Sequence, residues 1–238
     1  MRIGVVGDVH EPFSHPLYLQ FCQDTFESWG VQQVHLIGDI VDLHSLSFHE
    51  QNPNGMSAYD ETALARRRVA EWYKTWPRAT VSIGNHDERH FRKARKEGVP
   101  DLYLRDFAEV WGTPKWDWQL FHKFDDIRFQ HGTGSSGKDA AINQACQRRI
   151  SVVQGHTHCW AGVKYHTNDD SRIFGMNVGC GIDISSYAAE YAKDFANRPT
   201  LGCGVVIDGT AYFEPMPCGT GEKYHRSRAS KRRLKGLR

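Results

Sequence analysis

Short apolar runs alternate with stretches of helical period through the first half of the chain, and this switching predicts strands interleaved with helices. Residues 2–7 (RIGVVG) are β-branched and apolar and read as a buried strand. Over residues 15–29, Leu17, Phe21, Cys22, Thr25, Phe26 and Trp29 recur at helical spacing, and Gly30 supplies a stop. Residues 33–37 read as a second strand. A second helix follows over 59–76, with Ala63, Leu64, Val69, Trp72 and Tyr73 inward, and a third strand over 79–83. Helices are expected at 88–97 and 101–111, then an irregular connection and a short strand up to residue 124. Beyond them come a strand at 127–130, a helix at 139–149 and a strand at 151–154. Strand-like runs at 160–166, 172–178, 201–207 and 211–213 complete the chain. Helices concentrated early and strands late predict an α/β class: a layered β-sandwich flanked by helices.

Polar residues interrupt this pattern at one recurring place, the strand end. The first run closes in Gly7-Asp8-Val9-His10, the second in Gly38-Asp39-Ile40-Val41-Asp42, the third in Gly84-Asn85-His86-Asp87. Later runs close in His131-Gly132 and Gly155-His156-Thr157-His158. Residues two apart in an extended segment share a side, so Asp8 with His10, and His156 with His158, can converge. A parallel crossover leaves successive carboxyl ends on one sheet edge, where Asp8, His10 and Asp39 can meet. Alone, Asp8-x-His10 equally fits a turn carboxylate beside a surface histidine. Repetition at five strand ends has no packing explanation and points to metal binding. In Gly84-Asn85-His86-Asp87 the glycine is expected to provide a sharp turn.

Composition narrows the class. A chain of 238 residues with 39% hydrophobic and 12% aromatic content can bury a full core, and no linker or repeat divides it, so residues 1–221 read as one domain. No apolar run approaches the ~20 residues of a membrane span and no signal pattern opens the chain, so a cytoplasmic protein with no membrane partner is expected. Six cysteines without a CxxC pair favour reduced thiols over a disulfide or zinc-ribbon scaffold. The net charge of +2 hides an asymmetry: residues 222–238 carry eight Lys/Arg against one acid, a formal +7, which leaves −5 on the rest. This segment is expected as a disordered basic tail. The Gly/Ser run 133–138 (TGSSGK) lacks the spacing of a Walker motif.

The series GDVH, GDIVD, GNHD, HG and GHTH over residues 8–158 closely resembles the calcineurin-like metallophosphoesterase family. The resemblance implies an αββα fold and a dinuclear site. One metal would be held by Asp8, His10 and His158, the other by Asn85, His131 and His156, with Asp39 bridging. The implied cofactors are two divalent transition metal ions, manganese first, with iron, zinc or nickel as alternatives. Mixed imidazole, carboxylate and amide ligands suit such ions. The family mechanism is in-line attack of a metal-bridging hydroxide on a phosphate ester. His86 would act on the phosphate and Asp87 would orient it. Asp42 fits either a partner for a ligand imidazole or a turn aspartate.

Departures from the family's protein phosphatases direct the substrate expectation. Those enzymes carry GDxVDRG and GNHE, whereas here Leu43 and His44 follow Asp42 and Asp87 follows His86. The pattern lies closer to the phosphodiesterase and nuclease branch, so a nucleotide or nucleic-acid diester is expected, with a phosphomonoesterase as the alternative. A catalytically silent metal-stabilised scaffold or nucleic-acid-binding module is the reading from another class. Arg89, His90 and Arg92, with Arg232 and Arg233 in the basic tail, are candidate phosphate or nucleic-acid contacts. Pocket walls are expected from residues 43–57, 111–118 and 185–197. Oligomeric state has no signature in the sequence.

Overall fold

In the computed structural model, which describes residues 1–48, 52–186 and 197–217, two sheets pack face to face between helices. β1 (Arg2–Val6), β2 (Gln33–Leu36) and β3 (Thr80–Ser82) run parallel, joined by α1 (Tyr18–Trp29) and α2 (Ala58–Thr75). β4 (Asp117–Gln119) extends this sheet beside β3, and the antiparallel pair β10 (Gly202–Ile207) and β11 (Thr210–Pro215) extends it beyond β1. Its order is β11-β10-β1-β2-β3-β4. The second sheet is built from β5 (Phe121–Phe124), β6 (Ile127–Gln130), β7 (Ser151–Gln154), β8 (Gly162–Thr167) and β9 (Arg172–Asn177), in the order β5-β6-β7-β9-β8. Within it β6, β7 and β9 are parallel.

Two apolar clusters follow from this layering. Tyr18, Phe21, Phe26, Val69 and Trp72 pack with Val6, Leu36 and Val81 where α1 and α2 cover the first sheet. Ile3, Val5 and Ile37 meet Phe129, Val153, Phe174 and Met176 between the sheets. On the far face α5 (Ala140–Arg148) lies so close to β9 that a Cβ on Gly175 would stand 2.2 Å from the Ile142 amide nitrogen. Glycine at that position sets the helix-to-sheet spacing, and helix, sheet, sheet and helix complete an αββα sandwich.

Two local expectations change. The helix expected at 101–111 is a 3-10 turn, Asp101–Tyr103, followed by the short helix α4 (Phe107–Trp111) capped by the Asp106 carboxylate at the Glu109 amide, 2.7 Å. The aromatic stretch 111–118, expected as a pocket wall, belongs to the core: Trp111 and Trp116 are buried, and Trp118 stacks on Phe107 at 5.3 Å. Among the described residues no helix is long and apolar enough to cross a membrane. The basic tail with Arg232 and Arg233, and most of the expected wall at 185–197, lie outside the described residues.

Candidate metal centre

The parallel strands β1, β2 and β3 of one sheet and β6 and β7 of the other point their carboxyl ends to the same edge of the sandwich. Asp8 and His10 follow β1, Asp39 follows β2, Asn85 and His86 follow β3, His131 follows β6, and His156 and His158 follow β7. His10, Asp39 and His156 have φ of 57°, 48° and 66°, a left-handed conformation uncommon outside glycine and shared by three residues of the site. Glycines make room for the carboxylates. A Cβ on Gly84 would stand 2.1 Å from Asp39 Oδ1, and one on Gly155 would stand 2.0 Å from Asp8 Oδ1. The role of Gly84 is therefore close approach; its φ is not positive, in contrast to the sharp turn expected from the sequence.

The side chains gather in three overlapping sets, of which one, His10 with Asp42 and His86, lies at the edge and the other two share Asp39. Asp8, His10, Asp39 and His158 offer ligand atoms within 4.8 Å of one another, and so do Asp39, His131 and His156. Asn85 joins the second set, its Oδ1 3.1 Å from His131 Nε2. Asp39 belongs to both through one oxygen. Its Oδ1 accepts the His86 amide at 2.8 Å, while Oδ2 lies 3.2 Å from His131 Nε2 and 3.9 Å from His10 Nε2. In the first set His10 Nε2 stands 3.1 Å from His158 Nε2, which is 3.0 Å from Asp8 Oδ2.

The chemistry of these donors fits cations. His10 Nδ1 is paired with Asp42 Oδ2 at 3.0 Å and His131 Nδ1 with the Ile37 carbonyl at 3.1 Å. Each partner accepts the Nδ1 proton, which leaves the Nε2 lone pair turned into the site. Asp42 therefore pairs with an imidazole of the cluster, one of the two placements that the sequence left open. Asp8 Oδ1 is buried without a hydrogen-bond partner, a costly arrangement for an anion unless positive charge stands near it. Without such charge a proton substitutes. Burial pulls the His131 imidazole down, but Asp39 and Asp8 outweigh it and hold the ring up at about 10. Burial likewise opposes charge on Asp39, yet His131 holds its carboxyl well below the usual carboxylate range.

His86 sits at the edge of this centre, its ring 4.6 Å from that of His10. Nδ1 donates to the Asp42 carbonyl at 2.9 Å, and Nε2 accepts from Arg89 Nη2 at 3.0 Å. Burial drops the imidazole to about 4, so the ring is neutral. Arg89 also donates through Nη1 to the Asp42 carbonyl at 2.8 Å, which leaves its guanidinium beside the loop that follows β2.

Asp87 bonds to backbone amides and not to the His86 ring. Its fully buried carboxylate accepts the Gly84 amide at 2.9 Å on Oδ2, and those of Ile40 and Val41 at 2.9 and 3.3 Å on Oδ1. It ties the loop after β3 to the loop after β2, and His86 is oriented by Asp42. His90 is also displaced from its expected place: its ring packs on Phe91 and Phe107, at 4.3 and 5.7 Å, and both ring nitrogens lack a hydrogen-bond partner.

A cavity of about 380 Å³ opens over the centre, lined by Asp39, Asn85, His86, His156, His158 and the loop residues Ser136, Gly137 and Trp160. The Gly/Ser run set aside as a nucleotide loop thus contributes a wall. A glycine-rich stretch directly after a ligand strand was the available signal.

A calcineurin-like phosphoesterase family model matches residues 1–173. The chain belongs to that family. Among curated proteins no match was found. Solved structures with a similar fold include Zn-complexed Vps29 from Entamoeba histolytica, at 16% identity over 92% of this chain and 95% of that one, TM-score 0.46. The phosphoesterase YfcE from E. coli aligns at 17% identity over 87% and 89%, TM-score 0.43. The nuclease MPE from Pseudomonas putida aligns at 11% identity over 89% and 87%, TM-score 0.32.

Proposed function

We propose that this calcineurin-like phosphoesterase is a two-cation phosphodiesterase acting on a nucleotide or nucleic acid in the cytoplasm. The observation that carries the reading is the single oxygen, Asp39 Oδ2, shared by two donor sets, with His86 next to both. Asp8, His10 and His158 would hold one divalent transition metal ion and Asn85, His131 and His156 the other, manganese being the ion we favour. When bound, the ions supply positive charge at the phosphoryl oxygens and acidify water.

The chain's own residues supply position and protons. Asp42 and the Ile37 carbonyl keep the Nε2 atoms of His10 and His131 aimed inward. Asp87 fixes the two loops so that Asp39 and His86 keep their spacing. A phosphate entering the cavity brings negative charge to His86 Nε2 and Arg89. The phosphate would draw Arg89 Nη2 off His86 Nε2 onto its own oxygens, and the freed Nε2 can then take a proton from water and donate it to the leaving oxygen. Arg89 then stabilises the charge that remains. The five described cysteines are all free, in keeping with a reducing compartment.

Comparing a bis-aryl phosphodiester with an aryl phosphomonoester, with and without Mn²⁺, tests the reading. The diester is expected to be the better substrate, and His86→Asn to lower its kcat by roughly 10²–10⁴ with metal content retained. Preference for the monoester would reassign the chain to phosphomonoesterase chemistry.

A further inference from the structure

The helix that begins at the reaction centre carries its positive charges in one line. In α3 (Arg89–Lys96), Arg89, Arg92, Lys93 and Lys96 stand at i, i+3, i+4 and i+7, the spacing that puts side chains on one helix face. Arg89 touches His86 and the Asp42 carbonyl. From it the stripe runs ~10 Å at ~1.5 Å per residue, the rise of roughly three nucleotides at ~3.4 Å each along one strand.

The other face of the helix is already spent. Phe91 packs on Phe107 at 5.1 Å, and Arg95 donates from Nε to Asp101 at 2.9 Å. By contrast, Arg92, Lys93 and Lys96 have no carboxylate partner among the described residues. All three converge on one aromatic ring, that of Phe48, at 4.9, 4.7 and 5.7 Å from its centroid. Phe48 is 41% exposed. Three neighbouring cations with no carboxylate partner among the described residues repel one another, and an anionic partner relieves that repulsion. An exposed aromatic among them also offers a stacking surface to an unpaired base, as in proteins that track single strands.

We infer that the Arg89–Lys96 face of α3 and the ring of Phe48 form a track for single-stranded nucleic acid, leading phosphates away from the scissile bond. The direction of the track rests on the phosphoesterase reading; the binding does not. Arg89 meets the phosphate at the centre, Arg92, Lys93 and Lys96 meet those that follow, and Phe48 takes a base.

Fluorescence anisotropy of the full chain, metal-loaded, with a labelled phosphorothioate oligothymidylate that resists hydrolysis, tests the track without requiring turnover. Each single-strand phosphate contact contributes ~0.7 to the slope of log affinity against log salt. Lys93→Gln with Lys96→Gln is expected to lower that slope by about 1.4, Lys96→Gln alone by about 0.7, and Lys93→Arg with Lys96→Arg to preserve it. Phe48→Ala is expected to weaken binding about tenfold. An unchanged slope in the double Gln variant, in a protein that hydrolyses the aryl diester, overturns the track and leaves the phosphoesterase reading standing. Salt-dependent binding that loses its slope in that variant, in a protein that hydrolyses no ester, does the reverse.

Discussion

His131 carries the sharpest electrostatic consequence of the site. With no cation beside it, burial disfavours its charge, but Asp39 and Asp8 raise the ring to about 10. A histidine raised above its unfolded value of 6.5 stabilises the metal-free fold fully below pH 6.5, and that contribution fades as pH rises towards 10. In the proposed two-cation centre a metal ion would take the His131 Nε2 lone pair, so loading would expel this proton. Metal affinity is therefore expected to rise by roughly tenfold per pH unit across pH 6.5–8.5 for one displaced proton. Calorimetric titration of the chelated protein with Mn²⁺ across that range measures it; a flat profile would mean that His131 loses no proton on binding.

At the scale of elements, the two loops that hold Asp39 and His86 are joined through one side chain. Both oxygens of Asp87 accept backbone amides, from Gly84 on one side and from Ile40 and Val41 on the other. Asp87→Asn places an NH₂ donor against an amide donor in a buried site, at a cost of about 1–3 kcal/mol. Urea unfolding is expected to show that loss together with reduced activity, because Asp39 and His86 shift with their loops. Wild-type stability in the variant would refute the clamp.

Asp87 also shows what was legible in the sequence. The strands, their order of appearance and the polar strand ends were readable because burial on both faces of a parallel sheet imposes apolar runs that stop abruptly. Asp87 follows His86 in sequence, yet which neighbour a buried carboxylate serves depends on where two other loops pass. The same holds for Gly84, where the need is room for Asp39 and the backbone shows no unusual φ. Trp111 and Trp116 fit a pocket wall as well as a core on sequence alone, because aromatic clusters occur in both, and only packing in the cluster that α2 covers, with Tyr73 against Trp116, distinguishes them. Ser136 and Gly137 reach the cavity from a loop whose path no periodicity encodes.

Over the whole molecule, the sandwich converts topology into chemistry. Parallel β1, β2 and β3 bring their carboxyl ends to one edge, parallel β6 and β7 bring theirs from the facing sheet, and inter-sheet packing of Ile37 against Phe129 and Val153 sets the distance between them. The two donor sets that share Asp39 each draw on both sheets, since His131, His156 and His158 come from one and Asp8, His10, Asp39 and Asn85 from the other. Shared strand ends rather than one loop thus define the centre, and Asp39 is the residue on which both halves depend.

Titrating the chelated chain with Mn²⁺ while following hydrolysis of a bis-aryl phosphodiester tests this most directly. Activity is expected to be absent without metal, to rise until about two equivalents are bound, in the manner of two-metal sites, and to be lost in Asp39→Asn. Hydrolysis that ignores metal, or that survives Asp39→Asn unchanged, would contradict a two-cation centre built on that carboxylate.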